Sequence, residues 1–345
     1  MEHNASFPFI SICIPSYDRP HTLSRLLKTI DAEKADEVEI VICEDFSPRR
    51  MEIREQVENF KKETKYEVVY KENKENLGYD KNLKELIRNA SGEWIIFMGD
   101  DDVFVAGTLD KFISFLKKHG DLGYVLRTHD TVHENGQIEK FRYYAGVKFF
   151  EPGAETFVKI LRKSVFISGF TIKRDLVLPY LAVDYFDTTA LFQIYLLGEV
   201  VMNHKSAYFD ESLTQEIEKR DYREGEKHFD HKTKKFIPRQ ITLDVSISFL
   251  SGYVKITKFI DKKHGVNTTA LIKKDMSKYF YPSLSVHRDK GLKTFLRYVK
   301  MVNKLGFNIT IYYYLYIFFL VIFGRKICDY SITMIKKILG KTPKL

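Results

Sequence analysis

Residues 9–15 (FISICIP) form a short isoleucine-rich run that stops at a proline, the pattern of a strand buried on both faces. Asp18 and Pro20 then signal a helix start, and Leu23, Leu26, Leu27 and Ile30 follow at helical spacing. The alternation recurs: an apolar strand over 38–43, a helical stripe of Ile53, Val57 and Phe60, a strand over 66–70, a helix over 82–89 stopped near Gly92, and a strand over 94–98. Strands separated by helices predict an α/β fold with a doubly wound, mostly parallel sheet. Beyond it, Leu109, Phe112, Ile113 and Leu116 predict a helix, 124–128 a strand and Asn135-Gly136 a hairpin turn. The later half reads as more helical. Residues 215–235 are almost all charged and are expected to form an exposed loop. The expected division is therefore a sheet domain over 1–215, a charged linker over 216–239, a helical region over 240–304 and C-terminal helices over 305–345.

Composition narrows the partners. In 345 residues the formal net charge is +9 and 14% are aromatic, which suits an anionic ligand or surface. No stripe of interleaved basic and aromatic residues marks a strand-binding groove, so nucleic acid is not the expected partner. Of the three cysteines, Cys13 and Cys43 sit inside apolar strand patterns, and no Cys/His metal spacing occurs. They read as reduced packing residues. Residues 1–8 are polar and lack the basic segment and apolar run of a secretory signal, so the first domain is expected on the cytoplasmic side.

Open parallel sheets bind ligands beyond the carboxyl ends of their strands. Those ends are polar here: Pro15-Ser16-Tyr17-Asp18-Arg19, Glu44-Asp45-Phe46-Ser47, residues 76–82 (NLGYDKN), and Gly99-Asp100-Asp101-Asp102. Three consecutive aspartates after an apolar strand repel one another in a cleft, and a divalent cation resolves that conflict. Carboxylate oxygens suit Mn²⁺ or Mg²⁺, which takes one or two protein carboxylates and completes its shell with phosphates and water. Without a metal, such a cluster caps the following helix.

These four segments resemble the family 2 glycosyltransferases of the GT-A fold, over roughly residues 7–215. The chain reads IPSYDR, CEDFS, NLGYDKN and MGDDD in the family order. The glycine before the aspartates is similar to the abequosyltransferase-like branch, which builds bacterial O-antigen and capsule units. The resemblance implies an inverting, metal-dependent transfer of a hexosyl or deoxyhexosyl group from a nucleotide-sugar donor. Carried over, Pro15, Tyr17 and Arg19 would line the nucleotide pocket, Asp45 with Glu44 beside it would meet the base or ribose, and Asn76, Gly78 and Asn82 would shape the wall. Asp100 would face the donor ribose or sugar, and Asp101 would hold the cation, with Asp102 as a further ligand or as a cap for the next helix. Gly99 stands where the family has its first aspartate, and Glu44 where it has the first of a pair. The general base would be Asp187, which otherwise caps a helix over 190–197, with Asp184 as its rival. Lys219, Arg220 and Arg223 of the charged loop would close over the diphosphate.

Competing readings fit less well. A sugar nucleotidyltransferase or a nicotinamide enzyme needs a glycine-rich phosphate loop after the first strand, where this chain has Pro15-Ser16-Tyr17. A non-catalytic sugar-binding relative differs in releasing no nucleotide diphosphate.

Residues 305–324 carry no charge, and at ~1.5 Å per residue they would reach ~30 Å, one hydrocarbon thickness. Both flanks are basic and the stretch holds Tyr312, Tyr313, Tyr314 and Tyr316, which belong at an interface. The expectation is a helix along or dipping into the inner leaflet, an amphipathic return helix over 332–339, a location at the cytoplasmic face of the inner membrane, and a lipid-linked saccharide as acceptor.

Overall fold

The computed structural model describes residues 8–217 and 242–339. Lys219, Arg220 and Arg223 lie outside the described residues. The first strand, β1 (Ile10–Ser16), is buried along nearly its whole length because parallel partners flank it on both sides. It is followed by α1 (Pro20–Leu27), β2 (Val38–Glu44), α2 (Arg50–Glu63), β3 (Glu67–Glu72), α3 (Tyr79–Asn89), β4 (Trp94–Phe97), β5 (Val103–Phe104) and α4 (Leu109–Lys118). The strand β6 (Leu122–Val132) then leads through β7 (Ile138–Phe141), β8 (Lys148–Phe150) and α5 (Ala154–Ile160) to β9 (Phe170–Lys173), α6 (Phe192–Val201) and β10 (Lys205–Ile217).

Among the described residues these strands make one ten-stranded sheet in the order β3-β2-β1-β4-β9-β6-β10-β5, with β7 on β6 and β8 on β10. The first four are parallel and in register, Ile10 opposite both Val38 and Trp94. This is the expected doubly wound half. Four strands, β5, β8, β9 and β10, escaped the sequence reading. β9 inserts antiparallel between β4 and β6, and β10 runs parallel to β6 as far as Ile217. Gln215 and Glu216, placed above with the charged loop, thus pair with Asp130 and Thr131 inside the sheet.

Apolar layers cover both faces. On one side α1, α2 and α4 bury Leu23, Ile53, Val57 and Phe112 against Ile12, Ile40 and Val125. On the other, α3 and α6 pack Leu83, Leu86 and Leu196 against Cys13, Val41 and Phe97, and this core runs on into the C-terminal helices through Tyr253, Ile256 and Ile260. Those helices are α7 (Leu243–His264), α8 (Thr269–Lys278), α9 (Tyr281–Asp289), α10 (Leu292–Lys304) and α11 (Ile311–Leu339).

The last helix is broken at Gly324, whose φ of 70° and ψ of 177° leave the helical region. Arg288 donates to the Leu320 carbonyl just before the break, and Asp329 just after it accepts from Tyr281 and Ser285 of α9. One face of α11 is thereby fixed to the body through Tyr313, Leu320 and Cys328, while Ile311, Tyr312, Phe318, Ile322 and Phe323 stand exposed. By length and composition, 311–332 is long and apolar enough to cross a membrane. The unbroken run over 311–323 rises only roughly 20 Å, short of a ~30 Å hydrocarbon core.

The lower edge of the sheet is held by a buried carboxylate. Glu39 of β2 accepts from the Ser11 hydroxyl and from the Ser91 and Gly92 backbone amides. A Cβ on Gly92 would lie 2.7 Å from the Ile10 carbonyl carbon and 2.7 Å from the Ser11 amide nitrogen, both backbone atoms. Gly92→Ala is therefore expected to lower unfolding free energy by ~1–3 kcal/mol, the usual cost of overpacking. Urea denaturation with an unchanged m-value would show it, and a midpoint equal to the native one would refute the packing argument.

Candidate active site

The four polar strand ends meet at one crevice. β4 ends in an acidic turn closed by the Asp102 amide donating to the Gly99 carbonyl at 3.2 Å. Asp100 is buried, and its carboxylate accepts from the Arg19 guanidinium at 2.7 Å and from the Tyr17 amide at 3.3 Å. The same Arg19 nitrogen lies 3.0 Å from Asp101. Arg25 of α1 donates to the Asp101 carbonyl at 2.6 Å. The repulsion expected among consecutive aspartates is thus answered in part by the protein's own cation, Arg19, which the sequence pattern places only as a pocket-lining residue.

Asp102 does not cap a helix. The chain continues into β5, and α4 begins only after Thr108. Instead the Asp102 carboxylate accepts from the Ser168 hydroxyl, and Ser168 accepts from the Gly99 amide at 2.8 Å. Burial raises the Asp102 carboxyl well above its usual range, with Asp101 adding to the effect, and burial also raises Asp100, opposed by Arg19. Beneath them Arg127 of β6 is fully buried and donates to the Phe97 carbonyl at 3.1 Å. Burial brings it down to about 9, which leaves it cationic at neutral pH near Asp102.

On the nucleotide side the side chains divide. Pro15 and Tyr17 are half-buried at the mouth of β1, with the Tyr17 hydroxyl bonded to Asn76 and raised by burial. Asp45 accepts from the Leu77 amide at 2.8 Å, the Gly78 amide at 2.9 Å and Asn73 at 2.9 Å, so it pins the 76–78 loop across the crevice. Gly78 is required by its φ of 78°, and its amide also reaches Asn76 at 3.1 Å. Glu44 and Asn82 turn inward. Glu44 accepts from the Phe46 and Ser47 amides, and Asn82 bridges the Cys43 carbonyl and Asn73. Asn73, which no motif flagged, joins the two halves of this network.

The loop over 184–191 is held from α3. Asp80 accepts from the Ala190 amide at 2.8 Å and the Phe192 amide at 2.9 Å, so it caps α6 from another helix. Asp187 therefore does not serve as that cap. Its carboxylate forms a buried ion pair with Lys84, which also donates to the Val183 carbonyl at 2.6 Å. Asp184 is exposed.

Among the described residues no group of three or more His, Cys, Asp or Glu side chains is placed to hold a metal. The acidic turn nevertheless suits an ion that leans on its ligand. A Cβ on Gly99 would lie 3.1 Å from an oxygen of Asp101, 3.1 Å from one of Asp102 and 3.3 Å from the Ser168 hydroxyl, so the polar atoms converge where only glycine leaves room. Asp101, 29% exposed in its side chain, presents the most open carboxylate of the three. One or two carboxylates are what Mg²⁺ or Mn²⁺ takes when phosphates supply the rest.

Residues 11–200 match the model of the family Glycosyl transferase family 2. The chain belongs to that family. This glycosyltransferase is 26% identical over 113 residues to the abequosyltransferase RfbV of Salmonella typhimurium, a stretch covering 33% of this chain and 34% of the relative. It is 24% identical over 132 residues to the UDP-Glc:alpha-D-GlcNAc-diphosphoundecaprenol beta-1,3-glucosyltransferase WfgD of Escherichia coli, covering 38% of this chain and 50% of that one. The chain thus spans half or less of the length of these relatives. In fold the glycosyltransferase is similar to S. aureus TarS 1-349 in complex with UDP-GlcNAc, with a TM-score of 0.60 and 12% identity over 86% of this chain and 80% of that one. The GT-A sheet expected from the four motifs is therefore present.

Asp80 gives the site a pH signature. Burial raises its carboxyl to about 6, against the ordinary 3.8. A carboxyl raised on folding loses stability as pH climbs from the unfolded value to the folded one. Asp80→Asn lacks that loss, so its stability relative to native should improve by ~2–3 kcal/mol between pH 3.5 and pH 7. Denaturant melts of both proteins at the two pH values check this, and a pH-independent difference would contradict it.

Proposed function

We propose that this glycosyltransferase moves a hexosyl or deoxyhexosyl group from a nucleotide-sugar donor to a lipid-linked saccharide, with inversion, in the assembly of a surface polysaccharide. The observation that carries the reading is the acidic turn after β4, where Asp101 stays open beside Arg19 while Asp100 and Asp102 are withdrawn. Tyr17, Asp45 and the 76–78 loop would receive the nucleotide, and Asp100 the ribose or sugar. Asp101, with Asp102 behind it, would hold Mn²⁺ or Mg²⁺. When bound, that ion supplies positive charge to a departing nucleotide diphosphate.

The acceptor hydroxyl oxygen attacks the anomeric carbon as the bond to the diphosphate oxygen breaks, and the hydroxyl proton passes to the Asp187 carboxylate. Lys84 would keep Asp187 aimed, and the Asp80 cap would hold the loop that carries it. Attack from the face opposite the leaving group inverts the anomeric centre. The lipid-linked acceptor is supported by the diphosphoundecaprenol acceptor in the name of the Escherichia coli relative and by the bare apolar face of α11. An exposed patch of that kind on a soluble monomer calls for a covering partner. The break at Gly324 favours a helix seated in one leaflet at the cytoplasmic face of the inner membrane.

Two measurements test this reading. In a transfer assay with a donor panel, Asp101→Asn should lower turnover by several kcal/mol of transition-state stabilisation. Asp187→Asn should lower kcat by ~10²- to 10⁴-fold with donor affinity little changed, and Asp184→Asn should be mild. Reversed effects at 184 and 187 would make Asp184 the base, and full activity of the Asp101 variant at limiting Mn²⁺ would remove the metal role.

The second measurement is extraction from membranes. The protein should stay with the membrane in high salt, which screens the basic flanks, and should leave it in detergent, which replaces the apolar contact. Release by salt alone would exclude insertion of the α11 face.

A further inference from the structure

A groove of about 790 Å³ opens beside the loop that carries Asp187, lined by Tyr185 and by Lys255, Lys258, Lys262 and Lys263 of α7. Lys255, Lys258 and Lys262 recur at spacings of three, four and seven, which puts them on one helical face. Lys255 lies 3.7 Å from the centroid of the Tyr185 ring and donates to the Tyr185 carbonyl, so the groove is joined directly to the 184–191 loop. Charge is unbalanced there. Lys263 pairs with Glu199 at 2.7 Å, and Asp261 is engaged by Thr268 and Thr269. Among the described residues, Lys255, Lys258 and Lys262 form no ion pair.

The basic surface continues toward the foot of α11. Lys273 of α8 is held below the usual amine range by burial and by the nearby Lys258. Its ammonium lies 3.3 Å from where a Cβ on Gly306 would stand and over the Phe307 ring at 5.8 Å. Ser277 of α8 in turn accepts from the Thr310 amide at 3.1 Å, one residue before α11 begins. A run of ammonium groups thus leads from the apolar helix to the loop of the expected base.

We propose that the α7 groove binds the diphosphate of a lipid-linked acceptor, with Lys255, Lys258 and Lys262 as its ligands, and so sets the acceptor sugar beside Asp187. The inference rests on the reading that the acceptor is lipid-linked. Lysine ammonium groups bind phosphate as point charges and need no fixed fork, which suits a diphosphate sliding in from a membrane. The position beyond Tyr185 leaves the acidic turn to the donor's own diphosphate, so two anionic groups would occupy separate basic sites.

The test uses the full chain in neutral detergent, with farnesyl diphosphate as probe and lysine reductive methylation read by mass spectrometry. Farnesyl diphosphate should slow labelling of Lys255, Lys258 and Lys262 several-fold, while farnesol should not. The variant K255Q/K258Q/K262Q should bind the probe at least about tenfold more weakly, the size of one lost charge-assisted bond. Unchanged labelling of the three lysines overturns the proposal, whatever the variant does. Equal protection by phosphatidylglycerol vesicles, with vesicle binding lost in the variant, overturns it in favour of bilayer headgroups. Equal protection by inorganic pyrophosphate overturns the lipid-linked source. Donor hydrolysis on the same preparation separates the failures. Turnover with unprotected lysines sinks the groove alone, whereas protected lysines without turnover of any donor support the groove and sink the transferase reading.

Discussion

The crevice depends on one guanidinium. Asp100 and Asp101 leave β4 on adjacent residues, and their carboxylates share the cleft floor because Arg19 lies across both, at 2.7 Å and 3.0 Å. At such separations a guanidinium and a carboxylate attract by several kcal/mol even in a moderately polar surrounding, which offsets the repulsion between the two aspartates. With Arg19 in place the turn can close, Asp102 can fold back on Ser168, and Gly99, lacking a Cβ, lets their oxygens approach its backbone. Arg19 is itself set by the chain reversal at Asp18, which has a φ of 60°. That conformation is uncommon outside glycine, and aspartate is among the residues that tolerate it. The strain is therefore placed one residue from the cation that needs aiming.

Much of the architecture was legible because its physics is local. β1, β2 and β4 read as largely apolar runs, with Ser11 and Glu39 as polar exceptions, since both faces are covered, and α1 through α4 read as stripes since one face is. The strands that were missed lack those signatures. β9 has four residues, too few for a period, and β10 carries Asp210 and Glu211 in mid-strand, where a register shift against β6 accommodates them. Their pairing partners lie tens of residues away, and no window of sequence contains that information.

The site was legible by residue type and less so by role. Asp45, Gly78 and Asp100 do lie together after their strands, where the pattern places them, whereas Glu44 and Asn82 are bound inward and tie the loops of the crevice. Asn73, Lys84, Arg25 and Arg127 carried no motif, and Asp80 sat inside NLGYDKN without an assigned role, because each acts through a partner distant in the chain. Lys84 meets Asp187 only once α3 and the 184–191 loop are packed together. An aspartate before a helix looks like a cap in sequence, and only the tertiary fold shows that Asp80 holds that place.

The antiparallel insertion of β9 bears on how enzymes of this kind could exchange parts. Ser168, just ahead of β9, grips the acidic turn, while the segment after it leads to the loop of Asp187 and on to the C-terminal helices. A crossover placed before residue 168 would pull the central strand of the sheet, and a ligand of the acidic turn, out of one parent and into the other. Hybrids joined after Lys173 would keep the β4 to β9 register, Trp94 opposite Lys173 and Ile96 opposite Thr171, as a single inherited unit. An exchange placed beyond β9 must in turn bring partners that fit Asp80 and Lys84 of α3 and the β6 edge, because the 184–191 loop and β10 are tied to them.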